Sequence, residues 1–398
     1  MFFVIQQRAV QTILVLAFYL LFAAYLPIHT HQTFYTISLF IKDLLVWMMP
    51  FTVGFFIANT VAGFEKKAPL FIVAIIIFEA LSNFSCAWYS YFWGNALVDH
   101  LPSVQITTLD ENFKALWRLP FVKPSWWSAD KGSIVGLSLG CIAALIQNPQ
   151  LIKGIHFGKK IMQIILTQFF SRLIPIFILG FAAHMYCSGI LMHVFKNYGP
   201  VVLWLILAIF IYISLVFGIG AKFKIKTMIQ HVKNLIPAWS IALSSGCSLS
   251  TMPWTIKGTA KNLEEPHLAE AIIPATTNIQ QIGDCITNTF LCFVLYHQFF
   301  GKIPSFEIWL KFSVIFVLAR FATSAVIGGA IFVMLPIYEF YLNFTPDMIA
   351  IILALNVVLD PIVTSSNVIG NGAMCRLFER VWSKMQFHNF YVMKKIKR

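Results

Sequence analysis

The chain has 398 residues, 59% of them hydrophobic and only 11% charged, with a formal net charge of +13. A soluble domain carries roughly 25% charged residues, so the composition argues against a soluble enzyme or binding module and for a polytopic membrane protein. The positive charge is interleaved with apolar runs, which argues against a nucleic-acid-binding arm.

A bilayer-spanning helix needs about 20 largely apolar residues. In chain order the candidates are Val10–Pro27, Leu39–Ala62, Pro69–Trp93, Ile134–Ile152, Ile161–Met185, Val201–Ile219 and Leu268–Leu295, followed by two further apolar stretches, Phe306–Tyr341 and Asp347–Leu377. The first lacks a small-residue cleavage site and reads as a span, not a signal peptide. The third contains a carboxylate, Glu79. The loop from Asp99 to Lys131 holds Trp117, Trp126 and Trp127, which suits an outer membrane interface. Lys66 and Lys67, then Lys153, Lys159 and Lys160, then Lys222, Lys224, Lys226 and Lys233, and finally the tail lysines occupy alternate loops. The positive-inside rule then places both termini in the cytoplasm. The seven cysteines form no CxxC pair and read as small buried hydrophobes. His184, inside the fifth span, reads as a packed histidine. No nucleophile–base pair, phosphate loop or metal-ligand motif is visible, so the chain is not read as an enzyme.

After the sixth span the grammar changes. The apolar limb Ile236–Leu243 runs into Ser244-Ser-Gly-Cys-Ser-Leu-Ser-Thr251-Met-Pro253. It is too short to cross a bilayer, and a Ser/Gly tip invites a turn, so the segment reads as a re-entrant helical hairpin. The next span carries polar and helix-breaking residues from Pro274 to Asp284, which predicts an unwound centre lining protein or a cavity. A second small-residue break, Phe321 to Ala330, is flanked by apolar limbs and closed by Pro336.

The last apolar segment carries Asn356, Asp360, Thr364, Asn367 and Asn371 at spacings of four, four, three and four. That period puts all five on one face of one helix. A polar stripe in a membrane is costly unless it faces a cavity, partner or ligand. Hairpin, broken helix, hairpin and striped helix in succession point to an inverted-repeat transporter with a midplane site.

These residues resemble the glutamate-transporter family, the dicarboxylate/amino acid:cation symporters. Leu235 to Lys257 with Lys261-Asn-Leu resembles its first hairpin, Pro274 to Asp284 stands where the family has its Asn-Met-Asp-Gly-Thr signature, and Asp360 to Asn371 matches its last helix. Lys160 to Ala182 resembles the fifth helix. The resemblance implies an all-α fold of eight transmembrane helices plus two re-entrant hairpins, assembled as a homotrimer with an elevator-like motion in an inner membrane. It implies scaffold helices over 1–152 with the outer loop 99–131, helices five and six over 153–221, a transport core over 222–382 and a basic cytoplasmic tail over 383–398. The substrate, an amino acid or small organic solute, would meet the backbone of Gly246, Cys247 and Ser248 and of Ile327, Gly328, Gly329, Ala330 and Ile331. Asp360 would hold its amino group, with Thr364 and Asn367 completing the site. Lipid and sister subunits are the other expected partners, with no nucleic acid.

Departures from the family pattern sharpen this expectation. Acidic-substrate members carry an Arg where this chain has Val363, so a second carboxylate would lack its bidentate partner. The signature Thr is Asp284, which would repel that carboxylate. A neutral or polar amino acid fits better, and a cationic substrate paired with Asp284 is the bolder option. The signature Asp is Ile282, its Asn is Gln280, and the last-helix Asp is Asn371, so two anionic sodium ligands are missing. Thr276, Asn278, Gln280, Asn367 and Asn371 offer only neutral oxygens to a cation. Asp284 and Glu79 are intramembrane carboxylates able to carry protons. The expectation is therefore an amino-acid symporter without an organic cofactor, coupled to protons in preference to sodium. The alternatives are an uncoupled channel or facilitator and a symporter of dicarboxylates or acidic amino acids.

Overall fold

The structure is a computed structural model. It describes residues 8–62, 69–100, 113–118, 120, 124, 127, 129–187, 190–246, 248–277, 279–323 and 330–396. All regular structure among these residues is helical. The helices are α1 (Arg8–Phe22), α2 (Ile28–Ala62), α3 (Pro69–Ala96), α4 (Ala129–Ile146), α5 (Pro149–Ile164), α6 (Ser171–Cys187) and α7 (Ile190–Gly220). They continue with α8 (Ile225–Ser245), α9 (Ser248–Ala260), α10 (Leu268–Thr276), α11 (Ile282–Phe300), α12 (Phe306–Thr323), α13 (Ala330–Leu342) and α14 (Pro346–Ile396). Two of the described helical stretches, Val73–Ala96 and Tyr198–Gly220, are long and apolar enough to cross a membrane alone, and a third qualifies if the two segments of α14 count as one span.

The helix breaks follow from local chemistry. α4 stops at Ile146 because Gln147 adopts a positive φ of 53° and Asn148 then caps α5. The Asn148 side chain accepts from the N–H groups of Gln150 at 2.8 Å and Leu151 at 3.4 Å, with Pro149 at the first helical position. The expected fourth span to Ile152 is therefore two helices, because a side-chain cap overrides continuous hydropathy. Six residues of π-helix, Ile165–Phe170, lead into α6. α8 and α9 form the helix–turn–helix expected at the Ser/Gly run. Gly246 ends α8 in the left-handed region, φ 58°, and its N–H donates to Ala242 O. The two limbs approach closely: a Cβ at Gly258 would lie 2.5 Å from Asn234 O. The second small-residue break falls between α12 and α13, at residues 324–329, outside the described residues; its two limbs pack together.

The chain divides into two compact units. One comprises residues 1–65, 91–202 and 290–358; the other comprises 66–90, 203–289 and 359–398. In the first, α2 packs against α4, α5 and α6 and also meets α12 and α13. Glycines permit the α2–α4 contact: a Cβ on Gly136 would lie 2.3 Å from Gly54 O, and one on Gly132 would lie 2.3 Å from Pro50 O. Small residues let membrane helices approach and gain dispersion contacts. His184 is a packed histidine, as its sequence position suggests; its ring lies 4.4 Å from Tyr35 and its Nδ1 lies 3.0 Å from Asp347 Oδ1.

In the second unit, α9 packs on α8 and α10, and an apolar cluster of Ile75, Leu268, Ile272, Ile273, Cys375 and Phe378 joins α3, α10 and α14. Arg376 ties α14 to the loop between α9 and α10. It donates to Glu379 and, at 2.6 Å, to Glu264, while Glu379 accepts from Glu265 N–H at 2.7 Å. Cys86, Cys285, Cys292 and Cys375 are buried free thiols, as their reading as small buried hydrophobes expects, whereas Cys141 is exposed and Cys187 only half-buried, so the reading does not hold for those two.

Gly136→Val tests the α2–α4 contact. Overpacking against a backbone carbonyl should cost about 1–3 kcal/mol, seen as a melting temperature lowered by several degrees for the purified protein. An unchanged melting temperature would show that the two helices do not meet there.

Candidate functional site

The site is built around the break between α10 and α11. Pro274 removes a helix donor, and the helix gives out after Thr276. The backbone polar groups this frees are gathered locally. The Thr276 and Thr277 hydroxyls donate to Ile272 O at 2.9 Å and Ile273 O at 2.6 Å. Ile279 and Gln280 N–H both donate to Thr276 O, at 2.8 and 2.7 Å. From α3, Asn83 Nδ2 donates to Ile279 O at 3.0 Å, and Ser82 Oγ accepts from Gln280 Nε2 at 2.8 Å. Asn83 Oδ1 in turn accepts from Cys285 Sγ at 3.4 Å. The unwound centre expected from Pro274 to Asp284 is thus present, and α3 clamps it.

α14 approaches the start of α11 through a glycine. A Cβ on Gly283 would lie 2.5 Å from Val363 O and 2.8 Å from Ser366 Cβ. This closeness lets Asn367 bond Asp284 twice: Asp284 N–H donates to Asn367 Oδ1 at 3.0 Å, and Asn367 Nδ2 donates to Asp284 Oδ2 at 3.1 Å. Asn288, one turn on, donates to Asp284 Oδ1 at 3.3 Å and to Asp284 O at 3.0 Å. Asp284 stands in the first turn of α11, where the helix dipole favours an anion. One turn further along α14, Thr276 donates to Asn371 Oδ1 at 2.8 Å.

Asp360 is half-buried. Thr364 donates to its Oδ1 at 3.4 Å, and a Cβ on Gly246 would lie 3.4 Å from its Oδ2. The hairpin tip therefore reaches the Asp360 carboxylate with backbone alone. Ser248 opens α9, where the first N–H groups have no partner within the helix. Asp284 is tied to Asn367, two turns along α14 from Asp360.

Of the residues singled out in the sequence, Gly246, Ser248, Asp284, Asp360, Val363, Thr364 and Asn367 all belong to the second unit, as do Thr276, Gln280, Asn371 and Glu79. Ala330 and Ile331 open α13 in the first unit. Cys247, Asn278, Ile327, Gly328 and Gly329 lie outside the described residues. Asn356 falls in the first unit, whereas the rest of the stripe falls in the second, and its side chain donates back to Ile352 O at 2.8 Å. The neutral cation ligands fall into separate pairs, with Thr276 on Asn371, Asn367 on Asp284, and Gln280 bound to Ser82. No cluster of three His, Cys, Asp or Glu side chains suited to a metal ion occurs among the described residues.

Four residues escaped the sequence reading. Ser82 and Asn83 form a polar pair in an otherwise apolar span. Asn288 stands four residues after Asp284. Arg320, on α12 and 0% exposed, lies over the Phe316 ring at 5.9 Å. A charge inside an apolar run was the available signal for it.

A helix–turn–helix tip that meets a half-buried aspartate, beside an unwound helix, is the candidate site of this helical chain with apolar spans. The family model of the sodium:dicarboxylate symporter family matches residues 133–381. The chain belongs to that family, whose members are multi-pass secondary symporters of dicarboxylates or amino acids. A search of curated proteins returned no match.

Asn367→Ala removes both Asn367–Asp284 bonds. Leaving a partly buried carboxylate short of donors should cost about 1–3 kcal/mol. A lowered denaturation midpoint for the purified protein is the expected result; no change would show that the pair does not hold α11 to α14.

Proposed function

We propose that the protein is a secondary symporter of amino acids that lack a second carboxylate, with neutral or polar side chains, coupled to protons in preference to sodium. The observation that carries this reading is the Asp360 carboxylate facing the Gly246 tip, with Asp284 held to Asn367 two turns along the same helix. A substrate ammonium pairs with Asp360, and the substrate carboxylate meets the amides at the start of α9. A second carboxylate would enter against the Asp284 charge. The engagement of most of the neutral oxygens supports the coupling preference: Asn371 Oδ1 accepts from Thr276 and Asn367 Oδ1 from Asp284 N–H, while Gln280 Oε1 is buried without a partner. Gln280 turns an N–H donor to Ser82, and the unwound Ile279 carbonyl already accepts from Asn83. Hard cations bind best to carboxylate oxygens, and Ile282 and Asn371 supply none. A homotrimeric elevator in an inner membrane, with both termini in the cytoplasm, is part of the same proposal and rests on the family resemblance.

One observation favours a competing reading, a dicarboxylate or acidic amino acid as substrate. Arg320 is a buried guanidinium on α12, the limb that leads into the second hairpin break, and guanidinium groups pair bidentately with carboxylates.

A thermal-shift panel separates the two. A ligand bound to the native state raises apparent stability by about 2.7 kcal/mol at a hundredfold excess over Kd. Neutral and polar amino acids should raise the melting temperature, glutamate, aspartate and succinate should not, and Asp360→Ala should abolish the response. Stabilisation by the acidic ligands that vanishes in Arg320→Gln would establish the competing reading.

A further inference from the structure

Glu79 and Asp284 are both carboxyl groups within the apolar part of the second unit, yet their surroundings differ. Each Asp284 carboxylate oxygen accepts an amide N–H, from Asn367 or Asn288, and the first turn of α11 favours its charge. Glu79 is 3% exposed, and its Oε2 has no hydrogen-bond partner. Its helix neighbours Ile75 and Phe78 belong to the cluster with Ile272, Ile273 and Phe378. The titratable group that approaches it from α14 is the Cys375 thiol, beyond which Glu379 is engaged with Arg376 and Glu265 N–H. α9 contributes Met252, Ile256 and Ala260 to this cluster, and α10 contributes Leu268, Ala269, Ile272 and Ile273. A carboxylate with an unpaired oxygen in such surroundings carries the full cost of an uncompensated charge; a carboxylic acid does not.

Glu79 also connects to the site. Ser82 and Asn83 stand three and four residues on, on the same face of α3. They hold the unwound segment through Gln280 Nε2 and Ile279 O, and Gln280 Oε1 is itself buried without a partner. Polar side chains therefore lead from the substrate-binding break to a carboxyl group otherwise enclosed by apolar ones.

We propose that Glu79 carries the coupling proton, while Asp284 remains a fixed anion. The inference rests on the reading of the site as a proton-coupled symporter and assigns that proton to one residue. A proton from water on one side forms an O–H bond with the Glu79 carboxylate. The neutral acid crosses with the substrate, the O–H bond breaks to water on the other side, and no other bond changes. Because Ser82 and Asn83 share the Glu79 helix face, its protonation state reaches the clamp on residues 279 and 280.

The test uses full-length protein in sodium-free proteoliposomes loaded with a pH-sensitive dye, with an external mixture of neutral and polar amino acids as the probe. Wild type should acidify the lumen on addition of the mixture. Glu79→Gln, a mimic of the protonated acid, should lose acidification at least tenfold yet retain measurable exchange of labelled mixture across the membrane. Glu79→Asp should recover acidification with a displaced pH profile. Acidification by Glu79→Gln at the wild-type rate overturns the assignment and leaves proton coupling standing. Loss of both exchange and acidification in a Glu79→Gln variant that elutes and melts as wild type also overturns it, because Glu79 would then serve substrate movement itself. Wild-type uptake without acidification overturns the proton-coupled reading and the assignment together.

Discussion

Residues 277–281 interrupt a helix in a chain built for lipid, and their backbone polar groups have to be satisfied without the helix ladder. An orphaned amide in hydrocarbon costs several kcal/mol, so the break exists only because other elements supply partners. The two threonines at the end of α10 close one side, and Ser82 and Asn83 on α3 close the other. With the break held, α11 starts at a defined point and presents Asp284 to Asn367. The reciprocal pair then fixes α14 and, with it, Asp360. Gly283 is a condition of that arrangement, because any side chain there would strike the Val363 carbonyl. Asp360 is thus positioned by a chain of contacts that begins with an unwound backbone.

Charge completes the account. Two carboxylates, Asp284 and Asp360, belong to one unit and are joined through Asn367 and Thr364 on α14. One is held by amides and a helix N-terminus; the other meets the hairpin tip through Gly246, where no side chain intervenes. In the proposed mode of binding, a zwitterionic substrate would neutralise Asp360 and find N–H donors at the start of α9, whereas an additional negative group would meet the Asp284 carboxylate. The same economy of charge applies to coupling. In the proposed coupling, the oxygens left for a metal cation are neutral and for the most part engaged, while a proton has carboxyl groups to occupy.

Much of this was legible in the sequence, for identifiable reasons. The hairpin tip shows itself as a Ser/Gly run after an apolar limb, and Gly246 supplies the positive φ that the turn needs, but the helix leading to it is 21 residues long and not the short limb that the apolar run Ile236–Leu243 suggests, because it continues back through polar residues to Ile225. The broken helix shows itself through Pro274 and the polar residues that follow. The part of the stripe from Asp360 to Asn371 shows itself through spacing. The clamp was not legible, because Asn83 and Ser82 find their partners 196 and 198 residues away and hydropathy hides two polar residues inside an apolar span. The stop at Gln147 was legible in Asn148-Pro149, a cap followed by a first-turn proline, but averaging over Leu151 and Ile152 conceals it. Asn356 obeys the stripe's period yet lies on the other side of a division that periodicity cannot see.

The most direct test of the central claim is uptake of labelled neutral and polar amino acids into proteoliposomes under two separate conditions: an inwardly directed proton gradient without sodium, and an inwardly directed sodium gradient at symmetric pH. Concentrative uptake under the proton gradient, with none under sodium alone, is the predicted result. Concentrative uptake driven by sodium at symmetric pH would contradict it.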